Sequence, residues 1–241
     1  MYITDSHIHL QDYKRKNAHQ IIGDMQGKGF GKVICVSAKQ EDWPKVKKLA
    51  EKIPEFVIPS FGVHPWYVTE VSGDWNEKLE VYLQKYSNAV VGECGLDGIK
   101  GIDWKKQEEI FVMQADLAKR YNRPMNIHLL KAEDRFCRLQ GVLPKKFLLH
   151  AFGGSVDFLK KIIDWGGYVS LSYALLKRKN FVNVVKNVPV ERLLLESDGP
   201  YMSEYDNIEM TAEKIAELIG MCKAGLIEKV YKNFEEFCYG R

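Results

Sequence analysis

No apolar run in this 241-residue chain is longer than a strand. The sequence therefore predicts neither a transmembrane helix nor a secretory leader, and the expected location is the cytoplasm. Cysteine pairing is missing too. Cys35, Cys94, Cys137, Cys222 and Cys238 are odd in number and show no CxxC spacing, which speaks against a disulfide framework and against a zinc ribbon. Buried reduced thiols are the expectation. Nor does one sign of charge dominate: 35 Lys and Arg stand against 32 Asp and Glu, a net +3. That excess is too small to mark a nucleic-acid partner, because the electrostatic footprint depends on clustering. A Pro/Gly/Ser-rich linker and any abrupt change of composition are likewise absent, so a single domain over 1–241 is expected. The 46% hydrophobic and 28% charged content is that of an ordinary globular chain.

What the chain does have is alternation. Short β-branched runs recur with helix-like segments between them, the pattern of a parallel sheet with crossover helices. The runs are 2–6, 32–36, 57–62, 89–93, 124–128, 146–150, 167–171 and 193–198. Between them, Ile110, Phe111, Gln114, Leu117, Ala118 and Tyr121 follow an i, i+3, i+4, i+7 stripe over 107–120. Gly27, Gly29 and Gly31 are expected to close the first helix. After the eighth run, 208–221 and 226–237 read as closing helices, the second burying Leu226, Ile227, Val230, Phe234 and Phe237. Eight such units in roughly the 250 residues usual for the architecture predict a (β/α)8 TIM barrel rather than an open doubly wound sheet.

In such a barrel the chemistry sits at the C-terminal ends of the strands. His7 and His9, two apart on one strand, share a face and can reach one ion. His64 follows the third run, and Glu93, His128, His150 and Asp198 end the fourth, fifth, sixth and eighth. Five of the six histidines thus fall at one end of the predicted barrel. A lone histidine or glutamate at a strand end is commonly a hydrogen-bonded structural group. Packing gives no reason for imidazoles and carboxylates to gather at one end of five strands, and buried carboxylates need a cation nearby. A catalytic ion takes about three protein ligands, so four histidines and two carboxylates suit two ions, with Glu93 placed to bridge them. Water held there ionises near neutral pH, and the reaction class that follows is hydrolysis of an ester, amide or phosphodiester.

The motifs Asp5-Ser6-His7-Ile8-His9, Gly62-Val63-His64-Pro65, Gly92-Glu93-Cys94-Gly95-Leu96-Asp97, Ile127-His128, His150-Ala151-Phe152-Gly153-Gly154 and Leu194-Leu195-Glu196-Ser197-Asp198-Gly199-Pro200-Tyr201 stand in this order along the chain. Together with Gln107, Phe111, Gln114, Asn233 and Phe237, they make it resemble the TatD family of metal-dependent deoxyribonucleases within the amidohydrolase-like barrels. The resemblance implies His7, His9 and Asp198 around one divalent ion, His128 and His150 around the other, and Glu93 between them. It also implies Asp198 as the base toward the attacking water and His64 as a helper on the substrate side. Zinc, manganese, magnesium and nickel all remain open as the metal. DNA is the implied substrate, and no obligate protein partner is implied.

Strand parity sets Asp5 beside His7 and His9, and Glu196 beside Asp198. Either can orient a ligand through the far ring nitrogen, or form a buried ion pair or cap. Asp97 is read as a turn former or a catalytic group, and Cys94 as a core residue turned away from Glu93. Two departures from the family pattern bear on substrate. Leu130 stands where TatD-like sequences usually carry arginine, with Lys131 next to it, and the loop 202–207 is short and bears Glu204 and Asp206. A mouth short of arginine and enriched in acid suits a polyanion less well. Lys131, Arg135 and Lys177 are the expected substrate contacts, with Arg178 and Lys179 as further basic residues. The alternatives are therefore a hydrolase of a smaller ester or amide, such as an aminoacyl ester or lactone, and a catalytically silent binding barrel.

Overall fold

The computed structural model describes residues 2–100 and 103–240. Of the expected span 1–241, positions 1, 101, 102 and 241 lie outside the described residues. The strands are β1 (Ile3–Ile8), β2 (Phe30–Val36), β3 (Val57–Phe61), β4 (Val90–Asp97), β5 (Met125–Leu130), β6 (Phe147–Leu149), β7 (Tyr168–Leu171) and β8 (Leu193–Leu195). They form one parallel sheet in sequential order. Helices α1 (Ala18–Gly27), α2 (Trp43–Lys52), α3 (Trp75–Lys85), α4 (Trp104–Arg120), α5 (Glu133–Arg138), α6 (Val156–Asp164) and α7 (Phe181–Asn187) alternate with the strands, and α8 (Ile208–Ile219) and α9 (Lys223–Tyr239) follow β8. No helix among the described residues is long and apolar enough to cross a membrane.

The ring is drawn together where the last strand meets the first. Ser6 Oγ donates to Leu195 O at 3.0 Å, the Asp198 amide to His7 O at 2.9 Å, and the His9 amide to Gly199 O at 2.8 Å. The sheet is thereby a (β/α)8 barrel, as the alternation predicts. The first helix stops as expected at Gly27, with Gly29 in the left-handed region (φ +84°), but Gly31 belongs to β2.

Alternation sorts each strand between two environments. Val33 and Cys35 face the helices, whereas Ile34 and Val36 face the barrel interior with Ile58, Val90, Leu148, Tyr168 and Leu194. Phe234 and Phe237 of α9 join that interior cluster and fill the end where the strands begin. Each aromatic so buried contributes about 1.5–3 kcal/mol relative to exposure. Cys94 is core, as expected, and Cys35 is buried with it, but Cys137 and Cys238 are only half-buried. Cys222 is exposed, its Sγ accepting the Gly225 amide at 3.3 Å at the start of α9.

Two strands carry register shifts, β1 between Ile3 and Thr4 and between Asp5 and Ile8, and β4 between Val91 and Cys94. From an inward Val90, strict parity would turn Glu93 outward. The β4–β5 register shifts between Val91 and Cys94, which sends Glu93 inward and Cys94 to the core. The shift needs glycine: Gly92 has φ +151°, and a Cβ there would come within 2.3 Å of Asn126 O.

Candidate metal centre

The inward positions above the apolar cluster are polar. His7 of β1 and His9 just beyond its end point their Nε2 atoms at each other across 3.2 Å. Glu93 Oε2 lies 3.5 and 3.4 Å from these two nitrogens, and Asp198 Oδ1 lies 3.7 and 3.6 Å from them. Across the barrel, His128 Nδ1 and His150 Nε2 face each other at 3.3 Å. Glu93 Oε1 is 3.3 and 3.0 Å from that pair and 3.4 Å from His64 Nε2. All six residues expected as ligands, with His64, therefore meet at one end of the barrel.

The hydrogen bonds behind the rings assign their protons. Asn126 Nδ2 donates to Ser6 O at 2.9 Å, so Asn126 Oδ1 must accept, and at 2.9 Å it takes the proton of His7 Nδ1. His7 Nε2 is left as a bare lone pair. Asp97 Oδ2, 3.0 Å from His128 Nε2, holds the proton there and leaves Nδ1 bare. His64 is set the other way: its Nδ1 accepts the Trp66 amide at 3.1 Å, so its proton sits on Nε2, pointing at Glu93. In each pair a ring nitrogen whose partner nitrogen is already hydrogen-bonded faces a second imidazole nitrogen beside the Glu93 carboxylate, a donor set that fits a divalent metal. His9 Nδ1 and His150 Nδ1 are buried without a hydrogen-bond partner.

Burial pushes the Glu93 carboxyl up, but His64, His7 and His150 outweigh it and hold it well below the usual carboxylate range. Burial likewise holds His64 well below the ordinary imidazole value, against the pull of Glu93. Burial raises Asp198, opposed by His7, His150 and His9.

Asp5 does not reach a ring nitrogen. Its Oδ1 accepts the amides of His7 and Ser197 at 3.1 Å each, and its Oδ2 the Ser197 hydroxyl at 2.5 Å, so it ties β1 to the segment after β8. Burial pushes its carboxyl up to about 8 in spite of those bonds. Glu196 Oε1 accepts the Ala151 amide at 2.7 Å and stands 3.6 Å from His150 Nδ1, while Oε2 accepts from Ser170 Oγ.

Sequence reasoning missed Asn126, although its parity with His128 was available. It left Asp97 undecided, and the structure gives that residue both a turn and an orienting contact: Oδ1 accepts the Ile99 and Lys100 amides, and Oδ2 faces His128. Two buried glutamines of α4 hold the supports in place. Gln114 pairs with both polar backbone atoms of Val63, at 2.8 and 3.2 Å, and Gln107 with both of Asp97, at 2.9 and 3.1 Å. Asn233 of α9 does the same for the start of β8, donating to Val190 O and Leu193 O.

A cavity of about 330 Å³ opens over the centre. Lys131 borders it, as expected, but Arg135 and Lys177 do not. Arg135 pairs with Glu108 at 2.7 Å and stacks on Trp104. Lys177 ends a 3-10 turn, and it is the next residue, Arg178, that borders the cavity beside Gly153. The acid expected from the loop after Pro200 is not at the mouth: neither Glu204 nor Asp206 lines the cavity, and Asp206 is paired with Lys28 at 2.9 Å, whereas Glu133 does line it.

A parallel eight-stranded barrel with imidazoles gathered about a shared carboxylate at its C-terminal rim is the frame of a metal-dependent hydrolase. The chain belongs to the TatD related DNase family, whose model matches residues 4–239. It is 29% identical over 216 residues to a metal-dependent hydrolase of Haemophilus influenzae, covering 84% of this chain and 82% of that one. It is 31% identical over 194 residues to the 3'-5' ssDNA/RNA exonuclease TatD of Pantoea ananatis (78% and 75%), and 26% identical over 254 residues to the human deoxyribonuclease TATDN3 (96% and 92%). The crystal structure of the TatD homolog YJJV from Escherichia coli superposes with a TM-score of 0.89 at 23% identity, covering 98% of this chain and 97% of that one, which shows the shared fold.

Proposed function

We propose that the protein is a deoxyribonuclease of exonuclease type, hydrolysing phosphodiester bonds with a water molecule activated at a two-metal centre. The observation that carries this reading is the divided Glu93 carboxylate, with Oε2 toward His7 and His9 and Oε1 toward His128 and His150. In this reading His7, His9 and Asp198 would hold one divalent ion, His128 and His150 would hold the other, and Glu93 would serve both. When bound, such ions lower the pKa of water and offset charge developing on phosphoryl oxygens. Imidazole donors favour zinc, nickel or manganese, and the two carboxylates admit magnesium.

The chain's own groups do the rest. Asp198 takes the proton of the attacking water on a carboxylate oxygen. His64, with its proton on Nε2, donates a hydrogen bond from that atom to a phosphoryl oxygen. Arg178 offers the phosphate a planar fork, and Lys131 a point charge, so the pair takes the role expected of Lys131, Arg135 and Lys177. The names of the relatives support a nucleic-acid substrate, and five free thiols suit the reducing cytoplasm.

The test is release of nucleotides from single-stranded DNA by metal-stripped protein resupplied with Mg²⁺, Mn²⁺, Zn²⁺ or Ni²⁺ in turn. Release is expected with at least one ion and is abolished in Glu93→Ala and Asp198→Ala. No release with any ion overturns the reading. One observation favours a second substrate class: Leu129 and Leu130 give the cavity an apolar wall. Hydrolysis of aminoacyl esters or lactones without release from DNA would select it.

A further inference from the structure

Trp66 borders the cavity and is 37% exposed, unusual for an indole that packing alone would bury. It is not loose. Its Nε1–H donates at 2.7 Å to Asp97 Oδ2, the oxygen that also faces His128. Lys100 Nζ covers one face of the ring at 3.9 Å from the centroid, and Lys100 does not itself border the cavity. His64 meets the ring nearly edge-on, with centroids 4.8 Å apart.

A second aromatic borders the same cavity. Tyr201 is 65% exposed, its hydroxyl donates to Asp12 at 2.9 Å, and its ring stands at 88° to that of His9. Both rings are thus oriented by polar bonds to carboxylates while part of their apolar surface stays open. Leaving that surface in water forgoes burial energy, and holding it in one orientation adds nothing to the core. A flat ring so held, beside a cavity bearing Arg178 and Lys131, is suited to stack an unpaired base whose phosphate those cations receive.

We propose that Trp66 is a stacking subsite for an unpaired nucleobase of the bound strand, with Tyr201 as a second aromatic contact. The inference rests on the phosphodiesterase reading above. It makes the base a determinant of recognition alongside the phosphate, and it disfavours duplex ends, whose bases are already paired and stacked.

The experiment compares labelled oligothymidylate with a length-matched oligomer of abasic residues. Binding is followed by anisotropy in EDTA, and cleavage with metal restored. The wild type is expected to bind the base-bearing strand at least about 10-fold more tightly than the abasic one. Trp66→Leu should bring the base-bearing strand down to the abasic level and leave the abasic strand unchanged. Trp66→Phe keeps a ring and should keep most of the preference, which separates stacking from any general loss of structure. Equal binding of the two strands by the wild type, or an undiminished preference in Trp66→Leu, overturns the proposal. Base-dependent binding without cleavage supports the subsite and removes the nuclease reading, whereas cleavage without base dependence does the reverse.

Discussion

The two sides of the centre present matching pairs of nitrogens but are anchored in different parts of the molecule. His7 is oriented by Asn126, fully buried and bonded to the backbone of β1. His128 is oriented by Asp97, whose remaining bonds run outward to Trp66 and to the turn amides of Ile99 and Lys100. Both orienting groups are buried, but one is bonded inward to the core and the other outward to the rim. Changes at the mouth should therefore reach the His128 side first, and Glu93, which faces both, is where the two sides are coupled.

The comparison can be broken at that coupling. Glu93→Ala should cut turnover by about 10³-fold or more and lower the metal retained after reconstitution, measured by elemental analysis. Full metal content in that variant would mean the carboxylate is not shared. A sharper test removes one orienting group at a time. Asn126→Leu and Asp97→Asn should each weaken metal binding by about 10–100-fold, but in different steps of a chelator-competition titration. The distinction between core and rim collapses if both variants weaken the same step.

Smaller effects are expected further out. Arg178→Ala should raise the KM for DNA about 10-fold and flatten its salt dependence, with Lys131→Ala having a lesser effect, because a fork holds phosphate better than a point charge. Kinetics at two ionic strengths check this, and equal effects would remove the preference for Arg178. Least affected in turnover should be Gln114→Leu, which strips the Val63 backbone of its partners and should cost about 1–3 kcal/mol in urea unfolding with kcat largely kept.

Strand alternation, and the gathering of His7, His9, His128, His150 and Asp198 at one end of the barrel, were legible because they follow from the periodicity and order of the strands. The structure extends β4 from the expected end at Glu93 to Asp97 and stops β8 at Leu195 rather than Asp198, where the chain turns through a positive φ of 52°. The inward aim of Glu93 was not derivable from parity, since it depends on a register shift at Gly92 that only the neighbouring strand reveals. Arg178 was passed over in the expected contacts for Lys177 because a 3-10 turn precedes it, and which side chain leaves such a turn toward the cavity depends on tertiary packing. Trp66 drew no notice because an aromatic after a strand reads as core. Glu204 and Asp206 misled because charge was counted along the loop, whereas Asp206 spends its charge on Lys28 of a distant segment.

The aromatic plug formed by Phe234 and Phe237 has a consequence for traffic. With the strand-start end filled by apolar side chains, the barrel is a cup and not a pipe. Whatever is hydrolysed over Glu93 enters and departs across the same lip, past Arg178, Lys131 and Trp66, so the residues that welcome a substrate also set how soon its product makes room for the next.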